Sequence, residues 1–276
     1  LEQGAGNMAF SVLMSVYKKE RPEYLREAVK SVFAQSLVPD EVVLMEDGPL
    51  TEELYQMIAT LEKRYPALRV CPLRENVQLG RALAKGVEMC TNELIARMDT
   101  DDLAMPDRFL HQYVYMEAHP SVMACGGWMQ EFNDTGTYHR QKQMPQHNDE
   151  IRKYGKYRNP VNHMTVMFRK SAVLRAGNYR HVPLLEDYDL WTRMMVQGME
   201  FYNLPEVLVC MRNNDGVYDR RGGFRYFRRY AAFRKSQKQM HWLNGREYVV
   251  ALILTMGMTL QPERMRKFVY QKILRK

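Results

Sequence analysis

The chain is poor in cysteine, with four in 276 residues, and none of them forms a C-x-x-C pair. That excludes a dense disulfide framework and a cysteine-rich zinc site. Cys71, Cys90, Cys125 and Cys210 each lie in or beside an apolar run, so buried free thiols in a reducing compartment are expected. Long apolar runs are also missing. The longest, "YVVALILTMGMTL" from Tyr248 to Leu260, has 13 residues, whereas a membrane-crossing helix needs about 20. There is no low-complexity tract and no internal repeat. No helix-turn-helix, RNP or zinc pattern accompanies the basic charge, so a nucleic acid is not the expected partner. The opening "LEQGAGN" lacks an initiator Met. Residues 1–7 are expected to be a cloning scar, with Met8 the native start and no secretory leader after it.

What remains is an ordinary globular composition, 46% hydrophobic and 26% charged, enough to bury a substantial core in one large domain or two small ones. The net charge of +8 is unevenly placed. From Arg212 to Lys238 only Asp215 and Asp219 oppose the basic residues, and the tail from Arg264 to Lys276 carries no acid. A phosphate-rich ligand or an anionic membrane suits such a surface.

The first half alternates regularly. "AFSVLMSVY", "EVVLMED", "LRVCPL" and "ELIARMD" read as strands. Between and after them, helical periodicity starts at Pro22, about Thr51, Leu79 and Pro106. This predicts βαβ units and a parallel sheet, with ligands bound at the carboxyl ends of the strands. Polar groups stand at three such ends: Ser15 and Tyr17, Glu46 and Asp47, and Asp99 to Asp102. After about residue 120 the pattern changes. "VMACGGWMQEFN", "TYHRQKQMP" and "HMTVMFRK" predict antiparallel strands, "LLEDYDLWTRMMVQG" a helix opening on Glu186 and Asp187, and the chain from Gly222 onward more helix.

The stretch "ARMDTDD" ends a buried strand and crowds Asp99, Asp101 and Asp102 onto one turn. A helix cap before Pro106 would need a single carboxylate and is worth about 1 kcal/mol. Three together repel one another unless a cation joins them. Hard oxygen ligands on a short turn suit Mg²⁺ or Mn²⁺, which take their remaining ligands from water and from a substrate's phosphates.

In ordered series, "FSVLMSVYKKERPEYLREAVKSVFAQSLVPDEVVLMEDGP", "ARMDTDD" and "LLEDYDLW" resemble the family 2 glycosyltransferases of GT-A fold. They most resemble the bacterial branch that builds exopolysaccharides and other surface glycans. The resemblance runs from about Ala9 to Arg221 and implies a Rossmann-like mixed sheet flanked by helices over residues 8–221. A helical C-terminal extension would cover residues 222–276. It also implies inverting, metal-dependent transfer of a sugar from a nucleoside diphosphate donor, commonly a UDP-sugar, to an acceptor hydroxyl. Matched residue by residue, Ser15 and Tyr17 would line the nucleobase and ribose, and Asp47 would hydrogen-bond the base. Asp99 would lie near the ribose, Asp101 would ligate Mn²⁺ or Mg²⁺, and Asp102 would contact the donor sugar. "NVQLGRALAKG" resembles the family's glycine-containing stretch, with Gln78 at a usual Gly and Ala84 at a usual Asn. It implies a nucleotide contact for Arg81, which could equally be a surface helix arginine.

The resemblance makes Asp187 of the E-D motif the base that takes the acceptor's proton. A positioned base typically contributes 10²- to 10⁴-fold in rate. Glu186 and Asp187 would otherwise merely favour a helix N-terminus. Asp189, two residues on, is expected to face away from Asp187. His163, in "NPVNHMTVMFRK", is the family-like histidine that would touch the diphosphate or complete the metal site, or else is a structural histidine. Arg220 and Arg221, with Arg212, surround glycine-rich turns and are expected to close over a diphosphate. The basic amphipathic tail either docks on the core or rests on an anionic membrane. A glycan or lipid-linked glycan acceptor at the cytoplasmic face of the cell membrane would give that contact a use. The alternatives are a sugar-1-phosphate nucleotidyltransferase and a non-catalytic nucleotide-sugar-binding protein. A D-x-D phosphatase is disfavoured because it would leave Asp187 without a role.

Overall fold

In the computed structural model, the described residues are 8–213 and 222–261. The first half is β1 (Ser11–Val16), α1 (Pro22–Phe33), β2 (Glu41–Glu46), α2 (Glu52–Arg64), β3 (Leu68–Pro72), α3 (Leu79–Met89) and β4 (Leu94–Arg97). Then come β5 (Leu103–Ala104), α4 (Arg108–Ala118), β6 (Val122–Phe132), β7 (Tyr138–Lys142) and α5 (Asn148–Gly155). The second half ends with β8 (Met167–Arg169), α6 (Lys170–Arg175), α7 (Glu186–Val196), β9 (Glu200–Arg212), α8 (Phe224–Gln239) and α9 (Gly245–Thr259).

The strands make one mixed sheet in the order β3-β2-β1-β4-β8-β6-β9-β5, with β7 paired to β6. β1, β2, β3 and β4 are parallel, as the alternation predicted. Alternate residues of the buried strands feed opposite faces of the sheet. Leu13 and Val43 join the core beneath α3, α6 and α7, while Val12, Met14 and Val42 join the one beneath α1, α2 and α4. Local signals start two helices where expected: Pro22 opens α1, and the Thr51 hydroxyl accepts from Leu54 N at 3.4 Å to cap α2. All four cysteines are buried and free. Among the described residues no helix is long and apolar enough to cross a membrane.

The expected second-half strands are antiparallel, β7 and β8 both to β6, and what the sequence did not show is a further strand, β9. β8 also runs antiparallel to β4, whereas β9 runs parallel to β6 over most of its length. Pro205 hides β9 in the sequence, because proline cannot donate to a ladder. Here it falls in a register shift between the Gly127–Leu204 and Trp128–Val207 pairs, so the strand survives. Part of "HMTVMFRK" is also not strand: His163–Thr165 is a single 3₁₀ turn. Asn162 Nδ2 donates to the Gly127 carbonyl at 3.0 Å, and the Thr165 hydroxyl accepts from Gly127 N at 3.1 Å. These side-chain bonds offer the backbone an alternative to the ladder.

Candidate active site

β1, β2 and β4 end side by side. Asp47 N donates to the Val16 carbonyl at 2.8 Å, Met98 N to the Leu13 carbonyl at 3.0 Å, and the Thr100 hydroxyl to the Ser15 carbonyl at 3.4 Å. Ser15 is half-buried and Tyr17, on the loop beyond it, is exposed. Asp47 is buried, and its carboxylate accepts from Val77 N at 2.7 Å and Asn76 Nδ2 at 3.1 Å. Burial raises its pKa against the pull of the Val77 and Gln78 backbone amides. Arg81 is exposed on the first turn of α3. Gly80, before it, lies against the loop leading to α7: a Cβ there would stand 2.4 Å from the Arg180 carbonyl.

The acidic turn is held between β4 and β5. One carboxylate oxygen from each of Asp99, Asp101 and Asp102 lies within 4.8 Å of the others. Burial, then the charges of Asp99 and Glu20, push the Asp101 carboxyl up to about 7. Asp102 is raised well above its ordinary value by burial and then by Asp101 and Asp99. Asp102 is 2% exposed; its Oδ1 accepts from Arg212 N at 2.9 Å and its Oδ2 has no partner. A cluster of carboxylate oxygens that repel one another, one of them buried and unpartnered, fits a hard divalent cation.

Two arginines flanking the acidic turn, read from the sequence only as parts of a strand and a helix, are structural counter-charges to it. Arg97 is 2% exposed and salt-bridged to Asp99, while its Nε and Nη1 have no partner. Arg108 is also buried; its Nη2 donates to the Arg97 carbonyl at 2.7 Å. Burial and the neighbouring Arg97 lower its pKa to about 9.

Arg212 does not stand ready in a loop, as its sequence neighbours suggested. It is 8% exposed, its Nε donates to the Asp101 carbonyl at 3.0 Å and its Nη1 to Asp134 at 2.9 Å, and Nη2 pairs with Glu27 at 2.5 Å. Its guanidinium also covers the Tyr24 ring at 4.0 Å. So engaged, it clamps the acidic turn to α1 and to the turn between β6 and β7 and is not available to close over a ligand. Arg220 and Arg221 lie outside the described residues.

A separate cavity of about 200 Å³ is lined by Asn159, His163, Asp187, Tyr188 and Arg234 among others, and Asp99, Asp101 and Asp102 are not in its wall. Of the three acids that open α7, Asp187 alone lines it. Asn159 Nδ2 donates to Asp187 Oδ2 at 2.5 Å, and Tyr188 N to Oδ1 at 2.7 Å, which fixes the carboxylate's orientation. Glu186 is 9% exposed, and burial followed by the Asp187 charge pushes its carboxyl up to about 7. Asp189 is buried in a 2.8 Å ion pair with Arg193.

His163 lines the cavity and lies near Arg97, the ion-pair partner of Asp99. Its Nε2 is 3.0 Å from the Tyr179 hydroxyl, and burial with the nearby Arg97 lowers its pKa, keeping the ring neutral. Tyr179 and Asn159 were not singled out in the sequence. Asn159 stood in the stretch quoted for His163, but an asparagine before a proline carries no signal distinguishing an orienting side chain from a turn.

The model of the glycosyl transferase family 2 matches residues 11–180. The amylovoran biosynthesis glycosyltransferase AmsE of Erwinia amylovora is 39% identical over 95% of this chain and 98% of its own length. An Escherichia coli UDP-Gal:alpha-D-GlcNAc-diphosphoundecaprenol beta-1,3-galactosyltransferase is 33% identical over 97% of both chains. Among solved structures, S. aureus TarS 1-349 in complex with UDP-GlcNAc superposes with a TM-score of 0.66 at 13% identity, covering 96% of this chain and 76% of that one. The mannosyltransferase PcManGT of Pyrobaculum calidifontis, in complex with GDP-Man and Mn²⁺, gives 0.63 at 15% identity, covering 89% and 68%.

Proposed function

The chain belongs to glycosyl transferase family 2 and is a glycosyltransferase of GT-A fold; from that premise we propose that it is an inverting, metal-dependent enzyme of bacterial surface-polysaccharide synthesis. The donor is a UDP-sugar and the acceptor a lipid-linked glycan at the cytoplasmic face of the cell membrane. The observation that carries this reading is the three-carboxylate turn where β4 ends, in a chain whose cavity is lined by one oriented carboxylate, Asp187. UDP and a lipid-linked acceptor are favoured by the E. coli relative, which is named for UDP-Gal and a diphosphoundecaprenol acceptor.

In this mechanism the nucleoside sits across the ends of β1 and β2, between Ser15, Tyr17 and Asp47, with Arg81 near the diphosphate. Asp99 faces the ribose and Asp102 the donor sugar. Asp101, with its two neighbours, would hold Mn²⁺ or Mg²⁺, which when bound supplies positive charge to the departing diphosphate. Asp187 accepts the proton of the attacking hydroxyl, and Asn159 keeps its carboxylate aimed into the cavity. Attack from the side opposite the leaving group inverts the anomeric carbon. Neutral His163 contributes a hydrogen-bonding ring to the same wall, and Arg220 and Arg221 cover the diphosphate.

Calorimetric titration of UDP and GDP, with Mn²⁺ and with EDTA, tests the donor half. The expected result is UDP binding that needs Mn²⁺ and is lost in Asp101→Ala. Binding unchanged by EDTA and by that substitution would remove Asp101 from its role.

A further inference from the structure

α9 is built inside out. Its protein-facing side carries Ala251, Thr255 and Thr259, all buried. The Thr255 hydroxyl bonds back to the Ala251 carbonyl and the Thr259 hydroxyl to the Thr255 carbonyl, each at 2.7 Å. Thr255 Oγ1 also accepts from the buried Arg234 of α8 at 3.5 Å. The solvent-facing side carries Val249, Val250, Ile253, Leu254, Met256 and Leu260, from 44% to 58% exposed. A helix of a water-soluble domain normally turns the other way. Contiguous exposed apolar side chains of this kind mark a surface that is covered in use.

The neighbouring charges say by what. α8 runs antiparallel to α9. Gly223 N, at its start, donates to the Thr259 carbonyl at 2.9 Å, and Lys238 near its end stands 5.1 Å above the Tyr248 ring. Along it Arg225, Arg228, Arg229, Lys235 and Lys238 are exposed, and α8 contains no carboxylate. Phe224, at the α8 N-terminus, is 65% exposed. A row of cations of one sign beside an apolar helix face matches an anionic bilayer. Headgroup phosphates lie at the height of the cations and acyl chains at the depth of the apolar side chains. A protein partner would have to be both acidic and apolar over the same strip.

The position of this face gives it a use. Leu254, Thr255, Met258 and Thr259 of α9 also wall the cavity that Asp187 lines. We infer that the outer face of α9 and the cationic row of α8 dock on an anionic phospholipid surface, which sets the mouth of the Asp187 cavity at headgroup level. There an acceptor anchored in the same bilayer reaches the site without leaving it. The docking stands on the helix pair alone; its use for an anchored acceptor rests on the reading proposed above.

The test is flotation of the full chain with phosphatidylcholine vesicles, with and without phosphatidylglycerol. The chain should float with the anionic vesicles, and Val249→Glu combined with Ile253→Glu should weaken that partition by about 10-fold or more. Arg228→Glu with Lys235→Glu should weaken it on anionic vesicles only. Unchanged melting temperature would show that the variants remain folded. Transfer to a water-soluble acceptor should be unchanged, while transfer to a vesicle-anchored one falls with partition. Equal flotation of wild type and the α9 variant would overturn the inference. So would a wild-type dimer, seen by light scattering, that the same α9 substitutions dissociate, since the face would then belong to a second copy. Intact flotation with no transfer to any acceptor would instead defeat the proposed reaction and leave the docking standing.

Discussion

At the scale of single residues, the three acids that open α7 separate by environment. Asp187, oriented by Asn159 and lining the cavity, is the one whose amide variant should lose rate. Asp187→Asn should lower kcat by about 10²- to 10⁴-fold in a steady-state transfer assay while leaving UDP affinity unchanged. Glu186 should behave differently. Its carboxyl titrates at about 7 in the folded chain, against an ordinary value of 4.5. Between those values the folded state holds a proton that the unfolded state has lost, so its contribution to stability falls as pH rises through that window and then levels. Glu186→Gln should flatten this decline in melting temperature between pH 5 and pH 8 and retain transfer activity; an unaltered slope would contradict the assignment. Asp101 is governed by the same sign. With its carboxyl at about 7 in the metal-free protein, Mn²⁺ must displace more of the Asp101 proton at pH 6 than at pH 8. Titration of Mn²⁺ in two buffers of different ionisation enthalpy should show that release, together with affinity rising with pH.

At the scale of elements, α3 begins under strain. Gln78, immediately before it, has φ 71° and ψ 155°, a region open almost only to glycine and costing a side-chain-bearing residue about 1–3 kcal/mol. The strain persists because both sides of the bend are anchored. Asn76 and Val77 bond to Asp47, and the Arg81 and Ala82 amides donate to the Gln78 carbonyl at 3.0 and 3.1 Å. Gln78→Gly keeps every backbone bond and should stabilise the chain by about 1 kcal/mol, after the entropic cost of glycine. Chemical denaturation would measure it, and a destabilised variant would show that the Gln78 side chain contributes more than its backbone costs. The glycine usual at this position in the family thus has a local geometric reason, which this chain overrides.

At the scale of the whole molecule, a buried arginine joins the C-terminal helix pair to the cavity wall. Arg234 of α8 is 1% exposed. Its Nη1 donates to the Tyr188 hydroxyl and the Lys156 carbonyl, each at 3.0 Å, and its Nη2 to the Tyr157 carbonyl. Tyr188 follows Asp187 directly, so α8 and the proposed base share one network. Arg234→Met should cost about 3 kcal/mol, as breaking a buried charged network does. It should also raise the acceptor KM more than the donor KM, because the proposed donor groups sit on the ends of β1, β2 and β4, away from α8. A shift in donor KM alone, measured with both substrates varied, would contradict that division.

The sequence alone determined the element types of the first half, because strand and helix periods there are uninterrupted and Pro22, Thr51 and Gly48 punctuate them locally. It also placed three acidic groups on one turn and a fourth at a helix start, since both are runs of adjacent residues. Tertiary structure decided which of these groups meet. Pro205 hid β9, whose ladder exists only because a register shift takes up the proline and β6 supplies a parallel partner. Arg97 and Arg108 looked like parts of a strand and a helix; their role as counter-charges appears only once the chain closes over Asp99 and Asp102. Arg212, expected in a loop, became a clamp because β9 delivers it to Glu27 and Asp134, 185 and 78 residues away in sequence. The division has a physical cause. Backbone periodicity and turn chemistry are properties of neighbours in the chain, whereas burial, charge pairing and the direction a carboxylate faces depend on partners that only folding brings within a few ångströms.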